Sequence, residues 1–137
     1  MKNSKVLRSY LILSGLLLSF IGGAQLLFPV AMKAGSGIDI AGQISVINDI
    51  RAANALLLSM ALLILSGAFV KKLTSTASLV SFLVFLSMGL GRVISLLQDG
   101  KPVEGLLGAT ALEFVLGITG VALYVLFQDK KQAELSF

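Results

Sequence analysis

Residues 76–97 read TASLVSFLVFLSMGLGRVISLL, and this stretch decides the fold because Arg92 is its only charged residue. A membrane hydrocarbon core of roughly 30 Å is crossed by about 20 helical residues. The stretch is too long for a β-strand and too uniformly apolar for a surface helix of a soluble protein. Lipid offers no hydrogen-bonding partner to the backbone, so we predict a membrane-spanning helix.

Three further segments have the same character, at about residues 7–28, 50–70 and 106–127. With 76–97, they predict an all-α integral membrane four-helix bundle that forms one domain over residues 1–137. Basic residues before the first segment, followed by Gly22-Gly23-Ala24, leave a cleaved signal peptide as an alternative. The apolar run exceeds the roughly 7–15 residues typical of such peptides, so we expect a retained helix.

The composition excludes several classes of protein. The chain has 137 residues, of which 56% are hydrophobic and 13% charged, too few charges to cover a small soluble domain. Without Cys, a disulfide, an iron–sulfur cluster and a thiol nucleophile are excluded. Without His as well, the common zinc and haem ligands and a Ser-His-Asp triad are missing. We assign no metal site, no cofactor and no catalytic residue.

The distribution of Lys and Arg predicts the orientation in the membrane. Seven lie in the two tails and the second loop, whereas the first and third loops hold only Lys33 and Lys101. We therefore expect both termini to be cytoplasmic, in a multi-pass protein of the cell inner (plasma) membrane. The net charge of +4 suits anionic lipid head groups, and nothing indicates a nucleic-acid partner.

Five polar residues inside the predicted helices fall in their outer half. Glu113 lies deepest, roughly 15 Å into the fourth segment. A charge near the bilayer centre costs about 2.5–3.5 kcal/mol, so such side chains are expected to face the bundle or a water-filled cavity. The five are Gln25, Arg51, Asn54, Arg92 and Glu113, with Asp49 and Asp99 at the rim.

Two interpretations of these residues stay open. In the first, a buried ion network fixes the helix register, with Arg92 and Glu113 as the favoured pair. In the second, an outward-facing polar pocket uses two guanidinium groups to bind an anionic head group or a small acid. Glu113 as the general acid or base of an intramembrane enzyme is less favoured, because no second carboxylate lies at depth.

Helical spacing predicts the inward faces. The connection 29–48 is expected to be irregular, and its second half to lie on the membrane surface or to cover the bundle, as a lid or as a shield. Asn48 is expected to cap the second helix. In the first segment the predicted face is Ser14, Leu18, Ile21 and Gln25, and in the second it is Arg51, Ala55, Leu58, Leu62 and Ser66. In the third segment it is Ser81, Phe85, Met88, Arg92, Ser95 and Asp99, and in the fourth it is Ala109, Glu113 and Gly117, with Gly120 nearby.

Three features together resemble a known family: Asn48-Asp-Ile-Arg-Ala52, the run from Gly91-Arg92 to Asp99-Gly100-Lys-Pro102, and Glu113. The sequence resembles a family of small bacterial four-helix membrane proteins classified as a domain of unknown function, similar in architecture to DoxX-like proteins. The resemblance implies a four-helix bundle in a bacterial inner membrane. It implies no activity. Ala53-Asn54 departs from the glycine expected there.

Two functions therefore compete. The first is a membrane protein that binds an anionic lipid or small acid in the polar pocket. The second is a structural or accessory subunit of a larger membrane complex. Membrane lipids are the expected partners in both cases, and the Gly- and Ser-rich helices also favour a homo-oligomer.

Overall fold

The computed structural model describes the backbone of residues 2–135 and the side chains of residues 5–128. This part of the chain is helical and has no β-strand. The helices are α1 (Lys2–Leu27), α2 (Pro29–Gly35), α3 (Ile44–Gly67), α4 (Thr74–Asp99) and α5 (Glu104–Leu135), with one 3₁₀ turn at Lys71–Leu73. The predicted all-α fold with four membrane-length segments is confirmed, because α1, α3, α4 and α5 are each long and apolar enough to cross a membrane.

The connection between α1 and α3 contains less irregular chain than the expected 29–48, because α2 lies within it. Its irregular part is confined to residues 36–43 by turns at Gly37 and Gly42, whose φ angles of 76° and 77° suit glycine. Between them, Asp39 accepts a hydrogen bond from the backbone N–H of Ala41. Asn48 consequently lies inside α3, and its predicted role as a helix cap is wrong.

The bundle consists of two hairpins, α1 with α3 and α4 with α5, joined by contacts between α3 and α4. Glycine allows the helices of each hairpin to approach closely. A Cβ on Gly22 would lie 3.0 Å from the backbone nitrogen of Leu58, and one on Gly117 would lie 2.6 Å from Cδ2 of Leu86. Small residues at such crossings are typical of membrane helices.

The buried core lies towards one end of the bundle. We call the end where α1 starts and α5 finishes the tail end, and the opposite end the α2 end. Leu18 of α1 and Phe85 of α4 are the buried core residues farthest from the tail end along their helices. The buried core comprises Leu7, Tyr10, Leu11, Leu18, Ala61, Ile64, Ala77 and Phe85.

The predicted helix faces are buried or half-buried in α1, in α5 and from Ser81 to Arg92 of α4, whereas Ser95 and Asp99 of the predicted α4 face are exposed. Ser14, Ser81, Glu113 and Gly117 are buried as expected. In α3 the buried residues are instead Asn54, Ala61, Ile64 and Gly67, while Arg51, Ala55 and Leu62 are exposed. The expectation failed because it assumed an inward Arg51, whereas α3 packs against α1 on one side and α4 on the other.

Candidate functional site: the Arg92–Glu113 ion pair

Arg92 of α4 and Glu113 of α5 form an ion pair within the membrane-length part of the bundle. The Nε of Arg92 donates to both carboxylate oxygens, each at 3.0 Å. The Glu113 side chain is 8% exposed, whereas that of Arg92 is 33% exposed. The carboxylate is therefore enclosed, and the guanidinium lies at the edge of the packed region.

Close packing of α4 against α5 places these two side chains. Gly89 lies one turn before Arg92, and a Cβ there would lie 3.1 Å from the ring of Phe114. Glu113 comes nine residues after the start of α5, so it lies about 14 Å along that helix. An uncompensated carboxylate at this depth is costly, and Arg92 supplies the opposite charge.

The Arg92 guanidinium keeps most of its donors after pairing. A guanidinium has five N–H donors, and only the one on Nε is used by Glu113. Neither Nη group donates a hydrogen bond to a described residue. In hydrocarbon each unsatisfied polar group costs several kcal/mol. The arrangement can accept an anionic or strongly polar group beside the pair.

Arg51 lies at the α2 end and stabilises a helix terminus. Its Nη1 donates a hydrogen bond of 2.7 Å to the carbonyl of Leu26, in the last turn of α1. That turn has carbonyl groups without a partner inside the helix and the negative end of the helix dipole. The two arginines therefore have different partners: Arg51 bonds within the α1–α3 hairpin and Arg92 within the α4–α5 hairpin.

Replacing Arg51 with methionine should lower the free energy of unfolding by about 1 kcal/mol, the usual net value of one hydrogen bond. Backbone amide exchange should also accelerate in the last turn of α1. Detergent unfolding and hydrogen exchange measure both effects. Lys33→Met is the control, since it removes a positive charge at the same end and leaves the Leu26 carbonyl paired. Equal stability of the two variants would contradict the capping role.

The other sequence-predicted residues do not join this ion pair. Asn54 donates to the carbonyl of Ile50 in its own helix at 2.8 Å. Asp99 accepts a hydrogen bond from Ser95 at 2.9 Å. Asp49 is exposed and Gln25 is half-buried, and neither side chain hydrogen-bonds to a described residue. Of the five intramembrane residues, the described structure brings together Arg92 and Glu113 alone.

A second polar contact near the tail end was missed in the sequence. The Tyr10 hydroxyl donates to the Leu116 carbonyl and accepts from the Ser81 hydroxyl, both at 3.0 Å. One buried hydroxyl thus links α1, α4 and α5. Tyr10 lies one turn before Ser14, so extending the predicted α1 face by four residues would have found it.

An apolar groove of about 400 Å³ lies between α3 and α4. It is lined on one side by Ala53, Leu56, Leu57 and Met60, and on the other by Val80, Leu83, Val84, Ser87 and Met88. Ser87 is the only polar side chain of this lining. Met88 precedes Arg92 by one helical turn, so this end of the groove lies about one turn from the ion pair along α4.

Comparison with known proteins identifies a family for this chain but gives no activity. The family model described as "Domain of unknown function (DUF4345)" matches residues 6–124, which include every residue of the site. No curated protein and no solved structure matches the chain. The likeness to DoxX-like proteins and the bacterial origin stay predictions. Because the family model covers most of the chain, the protein belongs to the DUF4345 family of unknown function.

Proposed function

We propose that the protein is a multi-pass membrane protein that binds an anionic group, a lipid head group or a small acid, on the Arg92 guanidinium. One observation carries the proposal: Arg92 is held through Nε alone, and both Nη groups lack a partner among the described residues. A guanidinium oriented in this way presents two further donor groups to a carboxylate or a phosphate.

The charges at the two ends support the orientation that we propose, with both termini in the cytoplasm. Lys71 and Lys72 are exposed at the tail end. The Arg8 guanidinium lies 5.3 Å from the ring centre of Phe69 at the same end. Positive residues concentrate on the cytoplasmic side of membrane proteins. The ion pair then lies in the outer half of the plasma membrane, where an anion reaches it from the outer leaflet.

The second candidate is an accessory subunit of a larger membrane complex. It is favoured by the neutrality of the Arg92–Glu113 pair, which joins α4 to α5 without any ligand. In that case the pair is structural, and a partner helix covers part of the apolar surface. The two functions differ in whether an anion binds at Arg92.

The test compares the wild type with Arg92→Gln in phosphatidylcholine nanodiscs. Dodecanoate and dodecyl phosphate serve as anionic probes, with dodecanol as the neutral analogue, and native mass spectrometry reports binding. We expect the wild type to bind at least one anionic probe more tightly than dodecanol, by about tenfold or more. Arg92→Gln should lose this preference, because glutamine has no positive charge.

Arg51→Gln is the matched control, since it removes the other intramembrane arginine and leaves the ion pair intact. It should bind the anionic probes like the wild type. Circular dichroism verifies that every variant keeps its helical content. Equal binding of anionic and neutral probes by the folded wild type would overturn the proposal and favour the accessory subunit.

A further inference from the structure

We infer that the ligand is a long-chain carboxylic acid, whose carboxylate binds the Nη groups of Arg92 and whose single hydrocarbon chain lies in the α3–α4 groove. This inference rests on the proposed function, because it needs an anion at Arg92. It adds the chemical class of the ligand and assigns the groove to it.

The groove ends at Met88, one helical turn before Arg92 along α4. Side chains of a helix lean towards its N-terminus, so the Arg92 side chain leans towards the turn that contains Met88, at the end of the groove. From Arg92 to Val80, at the far end of the groove, there are twelve residues, or about 18 Å along the helix. An extended chain of this length spans slightly more than one leaflet, which is half of the roughly 30 Å core.

The chemistry and length of the groove suit a hydrocarbon chain. The groove has walls of Ala, Leu, Met and Val, and a volume of about 400 Å³. It spans nine residues of α4, from Val80 to Met88, or about 12 Å along the helix. A hydrocarbon chain matches these apolar walls over that length.

The depth of Arg92 favours a carboxylic acid over a phospholipid. Arg92 lies seven residues before the end of α4, about 10 Å inside that helix. The phosphate of a two-chain lipid belongs to the headgroup region at the membrane surface. Burial disfavours the charged form of an acid, and a carboxylic acid can enter protonated, whereas a phosphodiester stays charged. A carboxylate also matches the guanidinium in shape and charge.

The test measures dependence on chain length. Hexadecanoate and octanoate are titrated into the protein in phosphatidylcholine nanodiscs, and native mass spectrometry gives the bound fractions. We expect the wild type to prefer hexadecanoate by about tenfold or more, because only the longer chain fills the groove. In Ala53→Phe, whose ring occupies the groove, hexadecanoate should bind no better than octanoate.

Ala122→Phe is the matched control, because Ala122 is exposed on α5, away from the groove and the ion pair. It should keep the wild-type preference, while Arg92→Gln should weaken both acids. If neither acid binds the folded wild type, the proposed function itself fails. If both bind through Arg92 and Ala53→Phe keeps the chain-length preference, this inference alone is wrong. Preference for phosphatidylglycerol over hexadecanoate, or a wild-type dimer that Ala53→Phe abolishes, would likewise overturn it.

Discussion

Replacing Glu113 with leucine is expected to lower the free energy of unfolding by about 3 kcal/mol. Removing one partner of a buried ion pair leaves the other charge uncompensated, which typically costs about 3–5 kcal/mol. The lower end of this range applies because the Arg92 side chain is 33% exposed and can move towards the membrane surface. Reversible unfolding by sodium dodecyl sulfate in dodecyl maltoside micelles measures the change.

The double variant Arg92→Leu/Glu113→Leu separates structure from binding. It removes both charges, and we expect it to recover most of the lost stability, since apolar replacement of a whole pair is often neutral. It should still fail to bind the anionic probes. Glu104→Leu, which removes an exposed carboxylate from the first turn of the same helix, is the control and should cost less than about 1 kcal/mol. If Glu113→Leu did so too, the pair would have no structural role.

Replacing Gly120 with alanine is expected to have the second largest effect, a loss of about 2–3 kcal/mol in the free energy of unfolding. A Cβ at this position would lie 2.8 Å from the Cβ of Phe82 and would clash with the Tyr10 hydroxyl. Extra methyl groups in a packed core cost about 1–3 kcal/mol. Displacing the hydroxyl also breaks its bonds to Ser81 and Leu116, at about 1 kcal/mol each. The same detergent titration measures the loss.

Two further variants test this explanation. Gly108→Ala in the same helix adds an identical methyl group where no atom lies within 4 Å, so it should leave stability unchanged or slightly raise it. In a Tyr10→Phe background the cost of Gly120→Ala should fall, because the ring no longer carries the hydroxyl that the methyl group meets. An equal cost in both backgrounds would show that Phe82 alone is responsible.

The four membrane-length helices followed from local sequence, because hydropathy over about 20 residues is a property of each segment by itself. The residue at which α3 begins could not be predicted from local hydropathy. Residues 44–49 lie between a turn and an apolar segment, and their helical state depends on the turn at Gly42. The predicted α3 face failed for a related reason, since it assumed that a charged residue in a membrane helix must point into the bundle.

The site was predictable only in part. The spacing and opposite charges of Arg92 and Glu113 made them the favoured pair, and the structure places them in contact. The partner of Arg51 is a backbone carbonyl 25 residues away, and since every residue has a carbonyl, no side-chain pattern identifies it. The groove beside Met88 is equally invisible in the sequence, because it depends on the distance between two helices.

The position of the core has a consequence for motion. Free energies of local opening follow buried contacts, so the tail-end half, which holds the core from Leu7 to Phe85, should exchange its amide hydrogens most slowly. The α2-end half has few buried side chains and should open in smaller, more frequent fluctuations. Such fluctuations would let the proposed hydrocarbon chain enter or leave beside Arg92 while the tail-end contacts stay closed. The proposed binding and release would then need no global unfolding of the bundle.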